Sequence, residues 1–344
     1  MLPMAALADA MTERTTGRQM TVGLMLPIWT RGSGLPDWTL DPDREAMRWP
    51  GLMRLAKLAE GVGFDSLWVP DHVLMDDQWE PPGDDAIGAP LTTDEPPSGA
   101  WDCWSILAAL AASTSSIELG TLVNCTAYRN PARLAKVAAT VEEISGGRLT
   151  LGLGAGDHWR EHQALGIPWA KPIGRFEEAL QIIVPLLREG RVDFAGEHYT
   201  ARDCELLPRG PRPHGPPVLI GALGTGPRML RLVAQHADIW NGWYAFDDAD
   251  ARPQVEAAMH RVDQACMEHG RSLETLERSI GISVALSPDR GEASTLTGSP
   301  EEIAEGLAGY RELGVDHIQV VLASPTEATV AGFGEVLRTF DEMV

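Results

Sequence analysis

Residues 117–154 read IELGTLVNCTAYRNPARLAKVAATVEEISGGRLTLGLG, in which two apolar, strand-like runs flank a helical segment. The runs cover residues 117–123 and 148–154, and their composition is typical of strands buried on both faces of a parallel sheet. Between them, an Asn-Pro pair at 130–131 predicts the start of a helix, and two glycines predict its end. The stretch therefore predicts two parallel strands joined by a helix.

The same alternation of strand-like and helical patterns continues along the rest of the chain. Residues 52–63 place apolar side chains at i, i+3, i+4 and i+7 and stop at a glycine, as an amphipathic helix does. Residues 299–314 begin with the capping-box pair Ser299 and Glu302 and also stop at a glycine. Strand candidates that alternate with helical segments lie at residues 21–26, 66–70, 117–123, 148–154, 217–222, 238–241, 280–286 and 316–322.

The count of eight strand candidates predicts an α/β fold, a (β/α)8 TIM barrel with insertion loops, which takes about 250 residues before insertions. An open, doubly wound sheet is built from the same units and is the alternative. The surplus of the 344 residues falls at 76–100 and 190–216, two proline-rich stretches that predict long loops. We expect residues 1–19 to form a flexible extension and residues 20–344 to form a single barrel domain.

Charge and cysteine content limit the classes of partner and the compartment. The 49 acidic and 28 basic residues give a formal net charge of −21, which opposes binding to nucleic acids. No stretch reaches the ~18 uninterrupted apolar residues of a membrane span, and the first twenty residues lack the apolar core of a signal peptide. The four cysteines form no CxxC pair, which is typical of reduced thiols. We therefore predict a cytoplasmic protein that binds neither nucleic acid nor membrane.

Two ionisable residues, Asp71 and His72, directly follow the second predicted strand. In a parallel barrel the active site is built at the carboxyl ends of the strands, so both side chains are candidates for catalysis. A histidine exchanges protons near neutral pH, and an adjacent carboxylate can orient its ring or raise its pKa. The alternative is structural: Asp71 would cap a turn, and His72 would be a core histidine with satisfied hydrogen bonds.

Two glycine-rich segments follow the fourth and fifth predicted strands. The first, GLGAGD at residues 152–157, lacks the full dinucleotide-binding pattern, but its glycines let a flat ligand approach the backbone. Asp157 within it is either an acid of the site or a cap of the following helix. The second, GALGTGPR at residues 221–228, places small residues before a proline suited to a first helical turn. This arrangement predicts a phosphate site beside Arg228, with a plain glycine-rich connection as the alternative.

Several of the eleven tryptophans lie near predicted strand ends or in loops, among them Trp29, Trp79 and Trp243. Core packing explains some of them, but an aromatic pocket over a flat ring explains their clustering better. The sequence contains no HExxH, Walker A, GxSxG or paired CxxC motif. A metal site, nucleotide hydrolysis and a serine hydrolase therefore have no motif in their favour.

Four segments of the chain resemble the luciferase-like monooxygenase superfamily, and especially its branch that uses the deazaflavin coenzyme F420. They are GFDSLWVPDH, GRFEEALQII, PVLIGALGTGPRMLRLVAQHADIWNGW and, most specifically, the block at residues 117–169. The similarity runs in order from about Met20 to the C-terminus. It implies a (β/α)8 barrel that holds a flavin or deazaflavin at its C-terminal mouth, commonly as a homodimer.

The resemblance also implies roles for individual residues. His72 matches an active-site acid, base or charge stabiliser near the coenzyme ring, with Asp71 beside it, and Asp157 matches a position where the family has glutamate. Leu122 and Val123 match a strand-end bulge whose non-proline cis peptide supports the ring. The cofactor-binding residues implied in this way are Leu122, Val123, Asn124, Gly154, Ala155, Gly156, Asp157, Gly221, Ala222, Leu223, Gly224, Thr225, Gly226 and Arg228.

The chain departs from the family pattern at one position that bears on the substrate pocket. The tryptophan four residues after the family histidine is replaced by Asp76. Trp79, from the predicted loop, is the candidate to take its place. The predicted substrate pocket therefore consists of Trp29, Trp79 and Trp243.

Two cofactors fit the resemblance and imply different reactions. F420 exchanges a hydride with a small organic substrate, whereas reduced FMN activates oxygen and implies a monooxygenase. A separate flavin or F420 reductase is a candidate partner protein. We favour F420 because of the resemblance. The tail of F420 is anionic and needs cations as partners. The basic residues expected near the active-site face are Arg129, Arg160, Lys171, Arg175, Arg209 and Arg212. A barrel that binds a ligand without turnover is a third hypothesis, which Asp71, His72 and Asp157 weigh against.

Overall fold

The computed structural model describes residues 18–29, 48–75, 98–222, 226–245, 250–286 and 295–343. Its main strands are β1 Thr21–Met25, β2 Ser66–Val69, β3 Glu118–Thr121, β4 Leu149–Gly154, β5 Val218–Gly221, β6 Ile239–Trp243, β7 Glu277–Ala285 and β8 His317–Leu322. Its α-helices are α1 Trp49–Val62, α2 Cys103–Ser113, α3 Pro131–Ser145, α4 Trp159–Ala164, α5 Pro172–Glu189, α6 Pro227–His236, α7 Arg252–Glu268, α8 Pro300–Glu312 and α9 Glu327–Met343. Within these ranges no helix has the length and apolar character needed to cross a membrane.

The eight main strands pair in sequence order, and every pair is parallel. Each strand from β1 to β7 pairs with the next one along the chain. β8 then pairs with β1, with Ile318 opposite Val22, so the sheet closes on itself. The prediction of a (β/α)8 barrel is therefore confirmed, and the open doubly wound sheet is excluded because such a sheet keeps two free edges.

Local signals place the strands and helices where the sequence predicts them. All eight predicted strands occur, with ends that shift by at most a few residues. The Asn130 side chain caps α3 by accepting hydrogen bonds from the backbone amides of Ala132 and Arg133 at 3.0 and 3.2 Å. The capping box of Ser299 and Glu302 is present at the start of α8. Both helix starts are therefore fixed by chemistry within one turn of the chain.

The interior of the barrel is packed with side chains, including a buried polar cluster. Asn241, Ser279 and Gln319 come from β6, β7 and β8 and are all at least 97 % buried. The Asn241 amide donates to Ser279 Oγ at 3.0 Å and to Gln319 Oε1 at 2.9 Å, and the Gln319 amide donates to Ser279 Oγ at 2.6 Å. Because side chains occupy the interior, a ligand of this barrel binds at its open end.

The proline-rich stretch 190–216, predicted to be a long loop, contains an antiparallel hairpin. Its strands are Arg191–Ala195 and Thr200–Glu205. Glu178 on α5 accepts hydrogen bonds from the backbone amides of residues 197–199 at 2.7–2.9 Å, which holds the hairpin turn against α5. Of the other predicted loop, 76–100, only residues 98–100 are among those described.

The predicted flexible extension overlaps the described residues only at its end. Arg18 pairs with Asp65 at 2.9 Å and with Asp341 at 2.5 Å, and it donates to the carbonyl oxygen of Gly63 at 2.6 Å. Its side chain is only 7 % exposed. Arg18, which we assigned to the flexible extension, is thus packed against the barrel. Residues 1–17 lie outside the described ranges.

Candidate active site

The carboxyl ends of the eight strands surround one open face, the mouth of the barrel. Trp29, His72, Asp157 and Trp243 lie at or just after the ends of β1, β2, β4 and β6. The topology therefore brings residues that are far apart in the sequence to the same end of the molecule. Four predicted site residues lie outside the described ranges: Trp79, Leu223, Gly224 and Thr225. Asp76 also lies outside them.

A bulge interrupts β3 at its carboxyl end. Pairing with β4 stops after Gly120 and resumes at Asn124, and the segment between has one residue more on β3 than on β4. The peptide bond between Leu122 and Val123, inside this bulge, is cis. Both features are those that the resemblance implies for this position.

Glycines surround the Val123 side chain at the ends of β4 and β5. A Cβ atom on Gly154 would lie 2.6 Å from Val123 Cγ2, and a Cβ atom on Gly221 would lie 3.0 Å from Val123 Cγ1. A Cβ atom on Gly152 would lie 3.3 Å from Val123 and 1.9 Å from the backbone oxygen of Thr121. Side chains at these positions would collide with their neighbours. These glycines leave the room that the Val123 side chain occupies, and we call the group of Val123, Gly152, Gly154 and Gly221 the Val123 floor.

The His72 ring is hydrogen-bonded to a buried glutamate from another part of the chain. His72 Nδ1 lies 3.0 Å from Oε2 of Glu161, the third residue of α4. The Glu161 side chain is fully buried and also accepts hydrogen bonds from the Tyr128 hydroxyl at 2.5 Å and the Leu74 amide at 2.9 Å. The backbone amide of Val73 donates to the same carboxylate. Four donors thus compensate for the burial of this charge.

These contacts shift the pKa values of the three side chains. Burial disfavours a charged His72, but the hydrogen bond and negative charge of Glu161, helped by the charges of Asp157 and Asp71, outweigh burial and raise the pKa of His72. Burial likewise disfavours the Glu161 carboxylate, yet His72, Tyr128 and the Leu74 amide hold its pKa at about 2. Burial raises the pKa of Tyr128, so its hydroxyl remains a donor. At neutral pH the centre holds an ionised Glu161 and a protonated Tyr128.

The structure corrects the role predicted for Asp71, that of orienting His72. The Asp71 carboxylate is buried, lies 2.5 Å from Arg129 and accepts a hydrogen bond from the backbone amide of Cys125 at 3.2 Å. Asp71 turns to Arg129, while the next residue, His72, turns to Glu161. Glu161 is therefore the carboxylate placed to orient the His72 ring.

Asp157 is exposed at the mouth, one residue after a glycine with a left-handed backbone. α4 begins at Trp159 and has no side-chain cap, so the alternative of Asp157 as a helix cap has no hydrogen bond in its favour. Gly156 has φ +87°, and a Cβ atom there would lie 2.7 Å from Cys125 Sγ. This turn brings Asp157 close enough for its charge to act on His72.

Two helix N-termini and several cations share the rim beside β5. Of the predicted phosphate segment, residues 221–222 and 226–228 are described, and α6 begins directly after Gly226 without a side-chain cap. Arg228 pairs with Glu177 at 2.7 Å. α5 also begins without a side-chain cap, and a Cβ atom on its Gly174 would lie 3.6 Å from Arg228 Nη2. Cations and helix N-termini at one rim favour an anionic ligand group.

Two of the basic residues predicted near the active-site face lie at the opposite end of the barrel. Arg209 donates to the carbonyl oxygens of Leu187 and Arg188, at the end of α5, at 2.8 and 2.9 Å. Arg212 pairs with Glu142, near the end of α3, and donates to the carbonyl oxygen of Leu149, the first residue of β4. The helices end and the strands begin at this face. Both arginines satisfy carbonyl and carboxylate groups there and are unavailable at the mouth.

The two described tryptophans of the predicted substrate pocket both lie at the mouth. The Trp243 ring lies across β7, where a Cβ atom on Gly281 would be 2.3 Å from it. Trp243 also lines a cavity of about 370 Å³ at the ends of β5 and β6, together with Ala222. Trp29 is 6 % exposed and forms a backbone bridge to Ala100.

Sequence reasoning missed Glu161 and Tyr128. Both residues lie inside the block at 117–169 that carries the resemblance, but neither belongs to a motif with a known spacing. The signal available was an acidic residue in a short helix after a glycine-rich strand end, and many surface residues share that description. A buried carboxylate is recognised by its partners, and His72 is 89 residues away in the sequence.

Comparisons with known proteins agree with this architecture. The family model described as luciferase-like monooxygenase matches residues 29–295. The chain is 29 % identical to 5,10-methylenetetrahydromethanopterin reductase of Archaeoglobus fulgidus over 309 residues. The matched region covers 87 % of this chain and 81 % of that protein. The chain is also 30 % identical to F420-dependent glucose-6-phosphate dehydrogenase of Beutenbergia cavernae over 288 residues. That matched region covers 81 % of this chain and 78 % of that protein.

Solved structures show the same fold. An F420-dependent secondary alcohol dehydrogenase, in complex with an F420–acetone adduct, matches 94 % of this chain and 99 % of its own chain, with a TM-score of 0.72 and 17 % identity. At that identity the likeness concerns the fold alone. The family model, in contrast, spans the residues that form the Val123 floor and the hydrogen bond between His72 and Glu161. The sequence match and the architecture agree, and the chain belongs to the luciferase-like monooxygenase family.

Proposed function

We propose that the protein is an F420-dependent oxidoreductase, which transfers a hydride between the coenzyme and a small organic substrate at the mouth of the barrel. The Val123 floor is the observation that carries this proposal. Relatives that are named F420-dependent glucose-6-phosphate dehydrogenases support F420 over FMN, as does the similarity in the block at 117–169.

The residues at the mouth fit a flat, three-ring cofactor. Three glycines surround the Val123 side chain, and even one added methyl group at Gly154 would collide with it. A planar ring can therefore lie against this surface without displacing side chains. We expect Trp243, Trp29 and His72, which lie at the same end of the barrel, to form the walls around such a ring.

The reaction needs a hydride carrier and a group that exchanges the accompanying proton. When bound, F420 supplies the carbon that gives or accepts the hydride. His72 is placed to exchange the proton with the substrate, because its ring is 20 % exposed and its pKa is raised above the ordinary value. Asp157, exposed beside it, adds negative charge that favours the protonated ring. We keep Asp157 as a proposed contributor to catalysis and to cofactor binding.

Cations at the rim are placed to hold the anionic tail of the coenzyme. Lys171 and Arg175 lie at the start of α5, and Arg228 lies in the first turn of α6. Each helix start adds backbone amides and the positive end of its dipole. Arg175 lies beside the hydroxyl group of Tyr199, which the hairpin turn brings to the same rim. Lys171 and Arg228 now pair with Glu197 and Glu177 at 2.5 and 2.7 Å, so the anionic tail would take the place of these carboxylates.

Substitution of Gly154 by alanine tests the Val123 floor. The new Cβ atom would lie 2.6 Å from Val123 Cγ2, so Val123 must shift and change the proposed contact surface for the ring. We expect Gly154→Ala to weaken F420 binding by about tenfold, since overpacking of this kind costs about 1–3 kcal/mol. Fluorescence titration gives the dissociation constant. Gly61→Ala on α1, where a Cβ atom meets nothing within 4 Å, is the matched control. Equal affinities of both variants and wild type would contradict the floor.

Titration of the purified protein with F420 and with FMN, each oxidised and reduced, tests the proposed function itself. We expect F420 to bind and its absorbance to respond when alcohols, enones or imines are screened as substrates. Tight binding of reduced FMN in preference to F420 would instead indicate an oxygen-activating monooxygenase with a partner reductase. Binding of neither cofactor would contradict the proposal.

We also infer a homodimer that acts in the cytoplasm and, in the cell, receives reduced cofactor from a separate reductase. The family resemblance supports the dimer, and light scattering on the purified chain tests it. The four cysteines are free thiols, and three of them are buried, which fits a reducing compartment.

A further inference from the structure

Glu161 forms more contacts than the anchoring of a loop requires. The carboxylate accepts hydrogen bonds from the amides of Val73 and Leu74, and these two would suffice to fix the segment after His72. It also contacts the His72 ring at 3.0 Å and the Tyr128 hydroxyl at 2.5 Å. A fully buried carboxylate is costly unless its partners compensate for lost hydration, so a neutral side chain would hold the loop at lower cost.

We infer that Glu161 is a positioning residue for the reaction, which fixes a proton on His72 Nδ1 and leaves Nε2 as the nitrogen that exchanges protons at the mouth. The two nitrogens of an imidazole ring have separate roles, and the partner of one decides the state of the other. The catalytic part of this inference rests on the proposed function. The arrangement of His72, Glu161 and Tyr128, which we call the His72 triad, exists without any cofactor.

The groups that face His72 come from several elements. Glu161 lies on α4, and the ring of His158, just before α4, packs edge-on to His72 with centroids 6.1 Å apart. Asp157 precedes α4, and Asp71 lies on the segment of His72 itself; both act on it through their charges. Of these groups, Glu161 has the direct hydrogen bond to the ring. Removal of the Glu161 charge should therefore change the protonation of His72 more than removal of the charge of Asp157 or Asp71.

Tyr128 gives the inference a second test of opposite sign. Its hydroxyl donates to Oε2 of Glu161, the same oxygen that His72 contacts. Each donor withdraws electron density from this oxygen, so the two donors compete for it. Tyr128→Phe should leave more of the negative charge to His72 and raise the pKa of His72 further. Glu161→Gln removes the charge and should lower the pKa of His72.

The experiment is an NMR titration of the histidine rings in the cofactor-free protein, with the His72 signal assigned by its absence in His72→Gln. We expect Glu161→Gln to lower the pKa of His72 by about one unit or more, and Tyr128→Phe to raise it. In steady-state assays, the limb of the pH–rate profile that reports the pKa of His72 should move to lower pH in Glu161→Gln. This holds in whichever direction the reaction is run. Glu178→Gln is the matched control, because Glu178 also holds a backbone turn through three amides, none of which belongs to the His72 triad.

A folded Glu161→Gln variant with an unmoved His72 pKa would overturn the inference and leave Glu161 as a loop anchor. If that variant does not fold, Tyr128→Phe decides alone: a raised pKa supports the inference, and an unchanged or lowered pKa overturns it. The titration contains no F420. Its result therefore stands apart from the proposed function, which fails instead if neither cofactor binds the wild-type protein.

Discussion

His72→Ala is expected to lower turnover by ~10²-fold or more while it leaves the affinity for F420 largely unchanged. The ring of His72 supplies the proposed proton transfer, whereas the Val123 floor and the cations at the rim supply most of the binding surface. The measurement combines single-turnover kinetics, with the best substrate found in the screen, and fluorescence titration of the cofactor. Added imidazole should restore part of the lost rate, because the substitution opens a space of the same shape.

A second histidine provides the control for this prediction. His260 is exposed on α7, and its Nδ1 lies 2.9 Å from the backbone oxygen of Glu256 in the same helix. His260→Ala should therefore leave turnover unchanged. Unchanged turnover in His72→Ala would remove His72 from the mechanism, and loss of F420 affinity in that variant would show that His72 contributes mainly to binding.

The fold was predictable because its determinants are local and repeated. The strand at 149–154 is buried along its whole length, and Asn130 and Ser299 each cap a helix within their own turn, so short windows of sequence carry the information. The closure of β8 on β1 is not local, but eight such units in order leave few other arrangements. The position of His72 at the mouth follows from the same topology, since it directly follows a strand.

The partners of the site residues were harder to predict, since side-chain direction depends on the folded backbone. Asp71 and His72 are adjacent in the sequence, yet they turn to Arg129 and Glu161 respectively. A prediction that pairs neighbours in the sequence therefore fails at this point. The wrong prediction for Arg209 has a related cause, because a basic residue in a long insertion can lie at either end of the barrel. The hydrogen bond from Arg209 to the Leu187 carbonyl oxygen places it at the end of α5, away from the mouth.

Asp71→Asn is expected to destabilise the protein by about 2–3 kcal/mol, with a smaller effect on turnover. The Asp71 carboxylate is 4 % exposed and accepts hydrogen bonds from Arg129, from the Cys125 amide and from the Cys103 thiol at 3.1 Å. An amide in its place would leave the Arg129 charge without its buried partner. Breaking a buried ion pair costs about 3–5 kcal/mol, and the 24 % exposure of the Arg129 side chain reduces that cost.

The matched control for this prediction is Asp102→Asn. Asp102 contacts the same arginine at 3.1 Å, but its side chain is 52 % exposed, and asparagine keeps the cap of α2. We expect a loss of at most about 1 kcal/mol there, because exposed ion pairs contribute little. Urea unfolding of both variants at neutral pH gives the two free energies. If Asp71→Asn instead retained wild-type stability and lost turnover ~10²-fold, Asp71 would be a catalytic group, as the sequence first indicated, and the buried ion pair with Arg129 would serve the reaction rather than the fold.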